Sequence, residues 1–279
     1  MLHRRILLAA AAAVTAAVLA APPSKAQDKS IVVASTTSTR DSGLFGYLLP
    51  KFTKKSGIEV KVVAQGTGKA LDTGRRCDAD VLFVHAKPAE EKFIKNGYGV
   101  KRFPVMYNDF VVIGPKRDPA GIKGMKSVTK AFTTLKNKKA DFISRGDNSG
   151  TNKAEIRIWK AAGIDIKEAK GPWYKAIGQG MGATLNTAAA SNAYTLTDRA
   201  TWIHFKNKQN LVIEVQGDPR LFNQYGVFLV NPKRCPHVKA KLGREFIHYL
   251  ISPEGQKVIA GYRVQGKQLF HPDANKPGA

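Results

Sequence analysis

The chain has 279 residues, with 45 lysines and arginines against 21 aspartates and glutamates, a formal charge of +24 at neutral pH. Two cysteines, together with histidines that follow no zinc-ligand spacing, exclude a multi-thiolate metal centre. The basic side chains are scattered rather than interleaved with aromatics, which argues against a nucleic-acid surface and for an anionic small ligand, most single lysines serving solubility and steering.

Residues 1–26 have the three parts of a secretory signal: Arg4 and Arg5 in front, an apolar run over 6–21, and Ser24, Lys25 and Ala26 as a small-x-small cleavage site. The run is short for a membrane span of ~20 residues. A mature periplasmic protein starting near Gln27 is expected, and no cysteine stands beside the cleavage site to carry a lipid anchor. In an oxidising compartment Cys77 and Cys235 are free to pair. Their positions in sequence leave open whether their Cα atoms come within the ~7 Å that a disulfide requires.

After the signal, short apolar strands alternate with amphipathic helices. Strands are expected at 31–34, 60–64, 81–84, 110–113, 141–143, 211–215 and 227–230. Between the first two, Leu44, Phe45, Leu48, Leu49 and Phe52 form one helical apolar face. Further helices are expected at 88–96, 126–136, 151–162, 182–192, 197–206, 238–250 and 253–260, with Gly or Pro at most breaks. The alternation predicts an α/β fold of mainly parallel sheets flanked by helices, divided into two lobes with the ligand between them. Segments 108–114 and 224–231 read as sister strands running side by side as a two-strand hinge. Lobe I would then be 27–108 with 225–279, and lobe II 109–224.

Four turns that open helices carry the chemistry. Ser35, Thr36, Thr37, Ser38 and Thr39 crowd the end of the first strand, more hydroxyls than one helix cap requires. Gln65, Gly66, Thr67, Gly68 and Lys69 again lead from strand to helix. They lack the Walker spacing, since Val63 and Ala70 occupy two of its defining positions, and Gly66 and Gly68 instead let backbone approach a ligand closely. Residues 144–151 place Arg145, Ser149 and Thr151 where a helix begins, and a helix start offers unpaired N–H donors and a partial positive charge. Gly180, Gly182 and Thr184 open another helix, and Tyr194 to Trp202 ends a strand with Thr197 as the expected cap. Each turn alone is explained by ordinary capping.

As a collinear set, Thr36 to Thr39, Gly66 to Leu71, Ser144 to Thr151, Gly182 to Leu185 and Tyr194 to Arg199 resemble the motifs of the tungstate-binding proteins of ABC importers, the TupA family. The resemblance implies a type II periplasmic-binding-protein fold whose lobes close on a tetrahedral oxyanion and deliver it to a membrane permease. It implies tungstate or molybdate as ligand, no cofactor, no metal bound other than as the oxyanion, no enzymatic activity and a monomeric protein. The family's threonine-serine motif maps to Thr36, Thr37 and Ser38, and its arginine motif to Arg145 with Ser149 and Thr151. Thr67 and Thr184, from the glycine-containing turns, complete the expected ligand-binding set. Departures are mild: Ser35 precedes only two consecutive threonines, and the cysteines lie outside the pattern.

Tungstate is an unprotonated dianion whose oxygens only accept hydrogen bonds, so its pocket should offer donors and no free carboxylate. Phosphate is the main alternative, because Arg145, Asp147, Ser149 and Thr151 also resemble the phosphate-binding proteins, in which a carboxylate accepts the anion's proton. Asp147 decides: facing the ligand it favours a protonated anion, and capping a helix or pairing with a base it favours an unprotonated one. An acid–base enzyme built on Asp41, Asp72, Asp198 and His85 has neither metal spacing nor a nucleophile motif. A receptor that signals rather than transports would have the same sequence features.

Overall fold

The structure, a computed structural model, describes residues 29–274, and the signal segment and its cleavage site lie outside them. The first half runs β1 (Ser30–Thr36), α1 (Thr37–Asp41), α2 (Leu44–Ser56), β2 (Glu59–Gln65), α3 (Thr67–Arg75), β3 (Val81–Val84), α4 (Lys87–Lys95) and the long β4 (Phe103–Pro115). Next come α5 (Val128–Asn137), β5 (Phe142–Ser144), α6 (Gly150–Ala161), α7 (Ile166–Ala169), β6 (Tyr174–Ala176), α8 (Met181–Ser191), β7 (Thr195–Asp198), α9 (Arg199–His204) and β8 (Leu211–Val215). β9 (Phe222–Leu229) returns to the first half, followed by α10 (Ala240–Ile251), α11 (Pro253–Gly261) and three two-residue strands, β10 (Arg263–Val264), β11 (Lys267–Gln268) and β12 (His271–Pro272).

β1 lies between β2 and β3 and is parallel to both, and β3 is buried along its whole length, as expected of a strand covered on both faces. Leu44, Phe45, Leu48 and Phe52 of α2 pack into this core. β9 joins antiparallel to β3, and β4 joins antiparallel to β9. β4 then leaves this sheet: beyond Asp109 it pairs with β7 and β8 instead. The period-2 alternation of a strand divides its side chains there, Phe110 and Val112 entering one core and Val111 and Ile113 another. The core of the first lobe draws on residues 31–106 and 225–270 together with Ala200, and the other two cores on residues 110–221. β5 and β6 add a parallel pair in the second lobe.

Several sequence expectations need correction. The sister strands do pair, but over Phe103–Asp109 and Phe222–Val227 rather than along the segments read as 108–114 and 224–231, because they are antiparallel and β4 diverges after Asp109. Thr197 is not a helix cap. It sits inside β7, opposite Val111, and the cap of α9 is Asp198, whose carboxylate accepts the Thr201 N–H at 2.9 Å. α7, β6 and the last three strands are two to four residues long, too short for periodicity to reveal.

Cys77 and Cys235 form a disulfide, with Cα atoms 5.5 Å apart and a sequence separation of 158. In the chain-entropy account a loop that long stabilises the fold by ~5 kcal/mol. Replacing both cysteines by serine is expected to lower the melting midpoint in a calorimetric scan by about 10 °C or more. Ligand affinity should be unchanged, since neither cysteine lines the cleft described next.

Candidate functional site

The turns that leave β1, β2 and β5 and the start of α8 meet between the two lobes. Gly68 N–H donates to the Asn148 carbonyl at 3.3 Å, across the cleft. The approach is close: a Cβ on Gly66 would stand a tight 3.3 Å from the Asp147 carbonyl, and one on Gly150 would stand 2.8 Å from His85 Cε1 and 3.0 Å from Thr67 Oγ1, which forces a shift. Gly180, which starts α8, faces Thr37, with its Cβ position 3.9 Å from Thr37 Oγ1. Thr37, Thr67, His85, Arg145, Gly150 and Gly180 therefore surround one space. Neither α3 nor α8 has a side-chain cap on its first turn, Gly66 and Gly180 occupying the cap positions.

Arg145 is 2% exposed. Its Nη2 donates to Thr37 Oγ1 at 3.3 Å and to Asp147 Oδ2 at 2.6 Å, while its Nε has no partner. The hydroxyls of Thr67 and Thr151 are also buried and unpartnered. A buried polar group without a hydrogen bond costs about 1–3 kcal/mol, so unpartnered donors at the turns after β2 and β5 are available to a group that accepts hydrogen bonds. Ser149 Oγ accepts the Asn152 N–H at 3.1 Å as the cap of α6, leaving its own proton available. Thr36 Oγ1 accepts the Thr39 N–H at 3.2 Å and lies 2.6 Å from Thr39 Oγ1 and 3.2 Å from Ser38 Oγ.

Thr184 differs from the expected set. It donates both its N–H, at 3.1 Å, and its hydroxyl, at 3.0 Å, to the Gly180 carbonyl, so both donors are spent inside the first turn of α8, a common fate of threonine within a helix. Both oxygens of Asp147 are engaged as well, Oδ2 by Arg145 and Oδ1 by the Ser149 N–H at 3.2 Å. The carboxylate thus pairs with a base and braces the turn.

His85, Asn108 and Asn223 were not in the expected set. His85 is 5% exposed, with Nε2 3.0 Å from Ser38 Oγ and Nδ1 3.0 Å from Asn223 Oδ1. Burial and the Arg145 charge outweigh the Asn223 bond and push its pKa down to about 4, so the ring is neutral at neutral pH. The sequence carried one signal for it: the residue after a fully buried strand in an α/β sheet faces the ligand edge. Asp41 and Asp72 pair with Arg40 and Arg75 near the surface. Among the described residues no group of three or more His, Cys, Asp or Glu side chains could hold a metal ion.

Residues 21–254 match the PBP superfamily domain. The tungstate-binding protein TupA of Peptoclostridium acidaminophilum is 45% identical over 246 residues, covering 87% of this chain and 85% of the relative. Among solved structures, the tungstate-binding protein TupA from Desulfovibrio alaskensis G20 is 46% identical, covers 88% of this chain and 99% of its own, and superposes with a TM-score of 0.74. The tungstate ABC transporter structure from Geobacter sulfurreducens is 51% identical, covers 84% and 99%, and has a TM-score of 0.77.

Gly150→Ala would place a methyl group against the His85 ring and Thr67, at the junction of the lobes. Overpacking of this kind costs about 1–3 kcal/mol. The expected outcome is a lower melting midpoint and a weaker response of that midpoint to added ligand, both read by scanning calorimetry.

Proposed function

The chain belongs to the PBP superfamily and, within it, to the TupA family of tungstate-binding proteins, and on that premise we propose that it captures tungstate, or its near twin molybdate, between its lobes for delivery to an ABC permease. The observation that carries this reading is the set of buried, unpartnered donors, Arg145 Nε, Thr67 Oγ1 and Thr151 Oγ1, in a cleft whose nearest carboxylate already has both oxygens occupied. Such a lining suits an anion that only accepts hydrogen bonds. Thr36, Thr37, Ser38 and Ser149 complete the proposed contacts, and Thr184 supports the α8 terminus by holding Gly180. Phosphate as the monohydrogen anion would need an acceptor for its proton, and the Asp147 carboxylate is instead turned to the Arg145 guanidinium and the Ser149 N–H.

The lobe boundaries proposed are 27–108 with 225–279 and 109–224, the two crossing strands acting as hinge. The protein is proposed to act as a periplasmic monomer with a cleaved signal and no cofactor, a location in keeping with its disulfide.

Nanomolar capture requires about 12 kcal/mol, and hydrogen bonds to a charged ligand contribute about 1.5–3 kcal/mol each, so six to ten donors suffice after the cost of closure. Competitive calorimetry on ligand-free protein with tungstate, molybdate, phosphate and sulfate tests the reading. Tight tungstate binding with phosphate silent is expected, and the converse would overturn it. Arg145→Ala should weaken tungstate binding by about 3–5 kcal/mol, since the dianion would be buried without its cation. Arg145→Lys should restore only part of the loss, because a point charge does not reproduce the planar fork of donors.

A further inference from the structure

A line of hydrogen-bonded side chains crosses both hinge strands and ends in the cleft. Asn108 Nδ2 donates to Asp198 Oδ1 at 3.5 Å, and Asn223 Nδ2 donates to Asn108 Oδ1 at 2.7 Å. Asn223 Oδ1 then meets His85 Nδ1, and His85 Nε2 meets Ser38 Oγ, each at 3.0 Å. All five residues are at most 5% exposed. Asp198 also receives the N–H and the hydroxyl of Thr201, at 2.9 and 2.7 Å.

The line has a direction. Burial raises the Asp198 pKa against the bonds it accepts from Thr201, and with both of its oxygens accepting, Asn108 presents its NH2 group to it and its carbonyl to Asn223, and Asn223 in turn presents its carbonyl to His85. The neutral ring must then carry its proton on Nδ1, which leaves Nε2 as an acceptor. Ser38 fills that acceptor with its only hydroxyl proton. As the protein stands, Ser38 therefore points its proton away from the anion it is expected to bind.

We propose that His85 is a positioning residue that sets the direction of the Ser38 hydroxyl, and that capture of the oxyanion draws one proton from solvent onto His85 Nε2. The protonated ring then donates to Ser38 Oγ, and Ser38 turns its O–H to an oxygen of the anion. No bond between heavy atoms is made or broken, and the proton comes from water. The inference rests on the reading of the cleft as an oxyanion site.

The charges around the ring set when this occurs. Arg145 opposes protonation, and burial keeps the pKa of the ring near 4. On its other side the ring borders a cavity of about 730 Å³ lined by Lys87, Lys153, Arg157 and Arg220. It stacks on Tyr225 with centroids 4.7 Å apart and faces Phe110 at 6.3 Å. The acidic groups are Asp147, held by Arg145, Glu90, which accepts the Ala86 N–H and pairs with Arg102 at 2.6 Å, and Asp198 at the far end of the line. An arriving dianion reverses this balance and raises the ring's pKa. Below the free-state value binding takes up no proton, and above the bound-state value the ring stays neutral throughout. Between the two, affinity falls by up to about tenfold for each unit rise in pH.

The test is calorimetric titration of sodium tungstate into the wild-type protein between about pH 6 and 8, in buffers of small and large ionisation enthalpy. Uptake approaching one proton per anion at the acidic end is expected, with affinity falling as pH rises. His85→Gln supplies a permanent amide donor to Ser38, so its binding should take up no proton and lose the pH dependence. Nitrogen-15 spectra of the wild-type imidazoles give a readout that needs no variant, one buried ring passing from the Nδ1–H neutral form to the imidazolium when tungstate is added. Tungstate binding without proton uptake, or uptake that persists in His85→Gln, overturns this inference alone. A wild-type protein that takes no tungstate removes its premise as well.

Discussion

A guanidinium that is 2% exposed, in a cleft where hydroxyls, an imidazole and the single carboxylate of Asp147 surround it, sets the terms for the rest of the molecule. Arg145 cannot lose its charge, so it must be compensated in place. Asp147 provides this at 2.6 Å and is itself fixed by the Ser149 N–H. Removing Asp147 would leave the Arg145 charge buried and uncompensated, the condition under which buried ion pairs become expensive. The pairing also keeps Nη2 oriented while leaving Nε free, so the turn is organised before a ligand arrives and less ordering remains to be done on binding.

That turn is held by the fold around it. β5 ends at Ser144, whose hydroxyl donates to the buried Glu155 at 2.6 Å, and Glu155 also receives Trp159 Nε1 and the Tyr174 hydroxyl at 3.1 and 2.7 Å. The strand before Arg145 is thereby tied to the helix after it. The opposite wall is set by β1, β2 and β3, whose parallel pairing brings the ends of three strands to one edge, where Thr36, Gln65 and Val84 lead into the cleft. β4 and β9 link the walls, and each contributes an asparagine, Asn108 and Asn223, directly opposite each other in the register. α9 touches both halves, with Ala200 in the first core and Trp202 in another.

Much of this was legible in the sequence, because the features concerned are local. The strand–turn–helix junctions, the glycines that permit close approach and the hydroxyl-rich strand end all rest on patterns a few residues long. The apolar face of α2 followed from the spacing of Leu44, Phe45, Leu48 and Phe52, all of which are buried. What escaped depends on partners distant in sequence. The pairing of Cys77 with Cys235 rests on a Cα separation that no spacing gives. Thr197 and Asp198 are adjacent and both able to cap a helix, and only the pairing of β7 with β4 shows that Thr197 belongs to a strand. Nothing near Thr184 distinguishes a hydroxyl facing a ligand from one bonded to the carbonyl four residues back. His85, Asn108 and Asn223 are far apart in the chain, and only the antiparallel registers of β9 with β3 and with β4 make them neighbours.

That the hinge is crossed by amides rather than by charges has a physical consequence. A salt bridge spanning two moving lobes would have to be desolvated at every closure, at a cost of several kcal/mol per ion that its own attraction only partly offsets. Asn108 and Asn223 carry no net charge, so they lose less hydration when buried, and each presents a donor and an acceptor on one rigid plane. Their line ends at Asp198 on one side and His85 on the other, the two titratable groups it joins. The Arg199–Asp109 pair, with Nε–Oδ1 at 2.7 Å and Nη2–Oδ2 at 2.6 Å, is the charged contact at this point of β4, and it is about 30% exposed. Placed at the rim, it keeps much of its hydration whichever way the lobes move. The charge of the cleft is thus concentrated on the buried Arg145 and the partly exposed Asp147, while β4 and β9 are joined by amides that change hydration at modest cost.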